Sequence, residues 1–315
     1  MNHSTAILAA LSFEELAQRP EAQGILAQAI CQRHAINPAV QRCDEGSALV
    51  FFTPDGYVLK IFPPEEQMFQ RNEALFLEAL AGRLPVETPE LTAADHLAGF
   101  PYLVMTRLTG QPLSRAWTSV PPRCRPRLLE DLGETTRALH ALPAALFSGA
   151  VFPWAPFIQD QWNRMLERHR EFDLEPAWLD ELARYVEAGP QDIIRVGPVV
   201  PLHTELMPQH LFVTNKDGHW TLSGLVDFEP AMTGAAEYEF AAVGVFLSCG
   251  DKETLRGFLS AYGYADKDLD AALSRRLMTW LLLHRYSRLR WFMSLLPAPQ
   301  QFTTLPQLEQ FWFGV

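Results

Sequence analysis

The chain has 315 residues, 48% of them apolar, enough for one large or two medium domains with buried cores and too apolar for disorder. With 26 basic against 37 acidic residues the formal net charge is −11, and the absence of a Lys/Arg run argues against nucleic acid or an anionic membrane as partner; a cationic small molecule would be drawn in instead. Cys31, Cys43, Cys124 and Cys249 form no C-x-x-C pair, no secretory leader is evident and no apolar run reaches the roughly 18 to 20 residues of a membrane span, so a cytoplasmic protein without a zinc site or disulfide framework is expected.

Residues 13 to 35 carry Leu16, Ile25 and Ile30 at helical spacing, and Pro20 between them favours two short helices over one. Residues 48–52, Thr53-Pro54-Asp55-Gly56 and residues 57–62 read as strand, turn and strand, with Lys60 late in the second strand. Pro63-Pro64 ends that strand, and residues 67–80 form an amphipathic pattern carrying Glu73. Residues 85–101 are turn-rich and extended, and Tyr102 to Met105 is a short buried strand. A boundary falls near there, giving a β-rich domain over 1–108 and a larger helical one over 109–315.

Beyond the boundary, residues 127–142, 158–188 and 268–296 show helical periodicity. Leu211 to Val213 and Leu222 to Val226 flank a turn at Asn215-Lys216-Asp217-Gly218, a hairpin whose end releases Asp227. Two acidic clusters bracket it: His203-Thr204-Glu205 with His210 five residues on, and Asp227-Phe228-Glu229. Phosphoryl transfer from a nucleotide needs one carboxylate at the acceptor hydroxyl and two ligands on magnesium, and this spacing supplies all three.

With these motifs in this order, residues 40 to 295 resemble the aminoglycoside phosphotransferase and choline kinase-like superfamily. The resemblance implies an α+β, bilobal protein-kinase-like fold, with a small β-rich N-lobe, a larger mainly helical C-lobe and a nucleotide in the cleft. The family's catalytic loop reads His-Gly-Asp, four residues, Asn; here residues 203–210 put Glu205 at the catalytic Asp and His210 at the metal-holding Asn. Glu205 would accept or orient the hydroxyl proton, and an imidazole at 210 is a poorer magnesium ligand than oxygen.

Asp227 matches the family's metal-binding Asp, and Lys60 with Glu73 resembles the kinase lysine and its ion-pair partner. Gly46 and Ser47 would cover the phosphates. Met105 would stand behind the adenine, with backbone groups of Thr106 and Leu108 on the base edge. Glu239 resembles a buried acid that ties down the catalytic loop, and His140 a core residue beneath it. Acids around Asp160 to Glu171 and at Glu237 are candidates for an acceptor site.

The resemblance thus implies a cytoplasmic kinase, monomer or homodimer, using Mg2+ and ATP or GTP to phosphorylate a hydroxyl of a small-molecule substrate. An aminoglycoside-like acceptor, hence antibiotic resistance, comes first; choline, homoserine and methylthioribose kinases share the family. The changed loop also leaves open a pseudokinase or nucleotide-binding module without transfer, and a kinase acting on a protein or a tethered intermediate, which calls for an exposed acceptor groove, is a third possibility.

Overall fold

The computed structural model describes residues 8–43, 48–190, 193–194 and 198–315. They group into two units: the first draws on Met1–Gly82, Glu87–Thr109 and Leu225–Pro230, the second on Arg83–Val86, Gly110–Gly224 and Ala231–Val315.

The first unit opens with helices α1 (Phe13–Ala17) and α2 (Pro20–Arg33), separated as expected by Pro20, which takes the first turn of α2 where its missing N–H costs nothing. Strands β1 (Gln41–Cys43), β2 (Leu49–Phe52), β3 (Tyr57–Ile61), β4 (Leu91–Leu97) and β5 (Phe100–Thr106) make one antiparallel sheet in the order β1-β2-β3-β5-β4. The β2–β3 hairpin closes at Thr53, whose N–H donates to the Tyr57 carbonyl, with Gly56 at φ 86° supplying the left-handed position. Successive strand side chains point to opposite faces. Leu59 and Ile61 therefore join the core under α1 and α2 with Leu16, Leu26 and Ile30, while Lys60 faces the other way.

The opposite face belongs to α3 (Gln67–Leu80), whose buried stripe includes Glu73, Phe76, Leu77 and Leu80. The segment Leu225–Pro230 joins this unit: Phe228 stacks on Phe76 at 6.4 Å, and the Asn72 amide donates to the Glu229 carbonyl at 2.9 Å. Where residues 85–101 read as turn-rich, the structure forms β4, a strand of alternating exposed and half-buried residues at the sheet edge.

The second unit is mainly helical: α4 (Arg125–His140), α5 (Trp154–Glu171), α6 (Pro176–Glu187), α7 (Lys252–Tyr262), α8 (Ala271–Leu283), α9 (Leu289–Ser294) and α10 (Leu305–Phe313). Helices α4 and α7 pack closely at Gly133, where a Cβ would run into the Phe258 carbonyl oxygen. Short sheets frame the loop after β7 (Val200–Leu202): β6 (Gln111–Pro112), β8 (Leu211–Lys216) and β9 (His219–Leu225) make one, and β10 (Met232–Gly234) pairs with β7. The β8–β9 turn places Asp217 and Gly218 at φ 54° and 85°, which fits a two-residue hairpin turn.

Candidate active site

In the first unit, Lys60 stands at a register position between Val50 and Leu103 and projects toward α3. Its ammonium meets three carboxylates: Asp227 at 2.6 Å, Glu229 at 2.8 Å and Glu73 at 2.9 Å. Both Lys60 and Glu73 are buried, at 8% and 2% exposure, so each ionic form depends on the other. Burial alone would lower the Lys60 pKa, but Asp227, Glu73 and Glu229 outweigh it and hold the ammonium well above its ordinary value. Glu73 is pushed up to about 7 by burial; Lys60 opposes that shift, and the two neighbouring carboxylates add to it. Asp227 sits at φ 75°, a left-handed conformation that costs a non-glycine residue about 1–2 kcal/mol.

The carboxylates of Glu73, Asp227 and Glu229 offer oxygens within 4.8 Å of one another. Three acids against one ammonium concentrate negative charge, and hard oxygen donors suit a hard divalent cation such as magnesium. Glu229 was not singled out by the sequence as a site residue: its only signal was membership of the Asp227-Phe228-Glu229 cluster.

The other candidate nucleotide residues of this unit lie on or just after β5. Met105 is buried opposite Val58 and Leu91, and Leu108 is half-buried beyond the strand. The Thr106 N–H donates to the Glu90 carbonyl at 3.0 Å, so pairing this N–H with a base would require giving up that bond. Gly46 and Ser47 fall outside the described residues.

In the second unit, the loop after β7 is held from several directions. Glu239, fully buried, accepts the N–H groups of His203 and Thr204, each at 2.7 Å, one on each carboxylate oxygen. The Glu205 N–H donates to His203 Nδ1 at 3.2 Å, and His210 Nδ1 donates to the Glu205 carbonyl at 2.9 Å. That last bond fixes the His210 tautomer, because only a protonated Nδ1 can donate to a carbonyl, and Nε2 becomes the acceptor nitrogen.

His284, from the end of α8, donates Nε2–H to the Thr204 carbonyl at 3.0 Å and accepts the Tyr286 N–H on Nδ1 at 3.3 Å. Burial and the nearby Arg285 push its pKa down to about 3, so it stays neutral and keeps that tautomer. Thr204 itself is at φ 74°. The half-buried Glu205 side chain is thus carried on a backbone fixed at its N–H and its carbonyl. His140 lies beneath, bonded through Nδ1 to the Tyr262 hydroxyl at 2.9 Å and 3.5 Å from Glu239 through Nε2.

The structure therefore brings Lys60, Glu73 and Asp227 together within the first unit, and Glu205 and His210 together within the second. The loop clamp by His284 left no legible signal, since the contact joins residues 80 apart through a backbone carbonyl. Glu237 does not present a free acid: Arg276 binds it through Nε and Nη2 at 2.9–3.1 Å, and the Tyr264 hydroxyl and Trp280 Nε1 also donate to it. No helix among the described residues is long and apolar enough to cross a membrane.

Known structures share this architecture. The GDP complex of aminoglycoside 2'-phosphotransferase-IIIa superposes with a TM-score of 0.68 at 18% identity, over 93% of this chain and 99% of that one. The streptomycin–ATP ternary complex of APH(2")-IIa gives 0.61 at 17% identity, over 91% and 98%. A macrolide 2'-phosphotransferase type I gives 0.60 at 20% identity, over 84% and 90%. Identities this low establish the protein-kinase-like fold alone, and no curated protein matches the chain. The sequence signature of the phosphotransferase enzyme family, however, runs through residues 44–277, and the chain belongs to that family.

Proposed function

We propose that the protein is a small-molecule kinase that transfers the γ-phosphoryl group of ATP or GTP to a hydroxyl of its acceptor. The observation that carries this reading is the clasp of Lys60 by Glu73, Asp227 and Glu229. In a protein-kinase-like fold a buried lysine held by a helix glutamate is placed to bind the α and β phosphates. Asp227 and Glu229 would hold magnesium; by the family resemblance His210 stands at a metal-holding position, where an imidazole is the poorer donor. When bound, the cation neutralises charge on the phosphate oxygens.

Glu205 would orient the acceptor hydroxyl and take its proton, on a backbone that Glu239, His203, His210 and His284 keep still. Met105 and the backbone around Leu108 would face the adenine or guanine, and Gly46 and Ser47 would cover the phosphates. Related structures hold GDP in one case and ATP in another, which supports either nucleotide. Aminoglycosides are the first acceptors to screen, and a role in antibiotic resistance in the cytoplasm would follow from a hit. A pseudokinase is the second reading, favoured by the Glu and His at positions 205 and 210.

The test is thermal unfolding with ATP and with GTP, each with and without magnesium. Ligand at ~100 times its Kd adds roughly 2.7 kcal/mol, a visible rise in Tm. The expected result is magnesium-dependent stabilisation that Lys60→Ala abolishes. No shift with either nucleotide, at any magnesium concentration, overturns the reading.

A further inference from the structure

Arg285 directly follows the histidine that holds the Thr204 carbonyl, and like the half-buried Arg125 and Arg168, but unlike Arg275 and Arg276, it has no carboxylate partner among the described residues. Arg276 pairs with Glu237 and Arg275 with Glu309. Among the described residues no carboxylate lies within ion-pairing distance of Arg285, in a chain where acids outnumber bases 37 to 26. Its guanidinium instead lies over the rings of Phe152 at 4.1 Å and Phe157 at 4.9 Å, with Tyr286 at 5.9 Å and Nη2 3.3 Å from the Met232 sulfur. Its Nε is buried without a hydrogen-bond acceptor.

A partly desolvated cation compensated only by ring faces and a thioether is costly to maintain. Ring faces satisfy a guanidinium above and below its plane and leave the in-plane N–H fork, whose geometry matches a carboxylate or phosphate. Arg168 adds to the local positive charge. Its Nη2 donates to the Leu282 carbonyl, its Nε is likewise buried without an acceptor, and both guanidiniums act on the Tyr238 phenol.

Two connections tie Arg285 to the loop that carries Glu205. The Met232 it touches is the cross-strand partner of Leu202, three residues before Glu205, and His284 bonds the residue immediately before Glu205. Meanwhile Glu237, an acid that could have received an ammonium group, is taken up by Arg276, Tyr264 and Trp280.

We infer that Arg285 recognises an oxyanion on the acceptor: the molecule phosphorylated here carries a carboxylate or phosphate group in addition to its hydroxyl. This rests on the kinase reading above and narrows it away from polycationic acceptors.

The experiment follows thermal unfolding of the full chain during titration with inorganic phosphate and, separately, succinate, against sodium chloride of equal ionic strength. Phosphate could also occupy the Lys60 site, so the titrations are repeated in a Lys60→Ala background. The expected result is saturable stabilisation by at least one of the two anions in both backgrounds. Arg285→Met, which keeps a long side chain among the rings, should weaken it at least about tenfold, and Arg285→Lys should weaken it less. Absence of saturable stabilisation, or equal affinity in the Arg285→Met protein, overturns the inference. A protein that takes the anion through Arg285 but shows no nucleotide shift would instead refute the kinase reading alone. If Arg285→Met fails to fold, Arg285→Lys supplies the comparison, and an affinity unchanged from wild type also overturns the inference.

Discussion

Glu205 is longer by one carbon–carbon bond, about 1.5 Å, than the aspartate at the matching place in the resembling family. A misplacement of ~1 Å in a reacting geometry can cost ~100-fold in rate, so for a working enzyme the backbone beneath Glu205 must suit the longer side chain. Once an acceptor is found, Glu205→Gln should lower kcat at least ~100-fold with nucleotide stabilisation intact. Near wild-type turnover by that variant would remove Glu205 from the chemistry. Glu205→Asp should also lose rate, because its backbone is held at both ends by histidine rings. The neighbouring residues show what sequence can convey at this scale. Lys60 and Glu73 were legible because a strand lysine followed by a helix glutamate is a pattern of types and spacing. Glu229 and Arg285 were not, since their roles come from the company they keep in space.

Elements follow the same division. The β2–β3 hairpin, the two helices split at Pro20 and helix α3 were legible because turn residues, proline and apolar periodicity all act locally. Strand β4 was missed because Ala93, Ala94, Asp95 and His96 carry no β-branched or aromatic signal; pairing with β5 makes it a strand. Helix α4 carries a close approach that sequence does not mark. Gly133 lies against the backbone of α7, so Gly133→Ala should force the helices apart at a cost of about 1–3 kcal/mol. Urea unfolding measures this, and an unchanged midpoint would show that the two helices can part without cost.

Across the whole molecule, two of the buried imidazoles contribute to the response to acid. Burial, reinforced by Arg168, pushes His169 down to about 4, and His284 falls to about 3. In the unfolded chain both titrate near 6.5, so below that pH the unfolded state binds more protons than the folded one. The stability they confer is complete above pH ~6.5 and is lost as pH falls toward the folded values. For His169 the difference amounts to roughly 3 kcal/mol by pH 4. His169→Phe should flatten the decline between pH 6.5 and 4.5 in urea unfolding, and an unaltered slope would place the acid sensitivity elsewhere.

The first unit is also discontinuous in sequence, since it recruits Leu225–Pro230 from far along the chain. Lys60 and Asp227 are 167 positions apart. A ribosome adding ~5–20 residues per second would make Lys60 and Glu73 roughly 10–30 s before Asp227 exists. Throughout that interval the nascent sheet carries a lysine and a glutamate destined for burial without the acids that complete their cluster. The Lys60 cluster is therefore finished late in synthesis, and a chain interrupted between residues 109 and 225 would present to chaperones and proteases a lobe with all five strands of its sheet and no finished cluster.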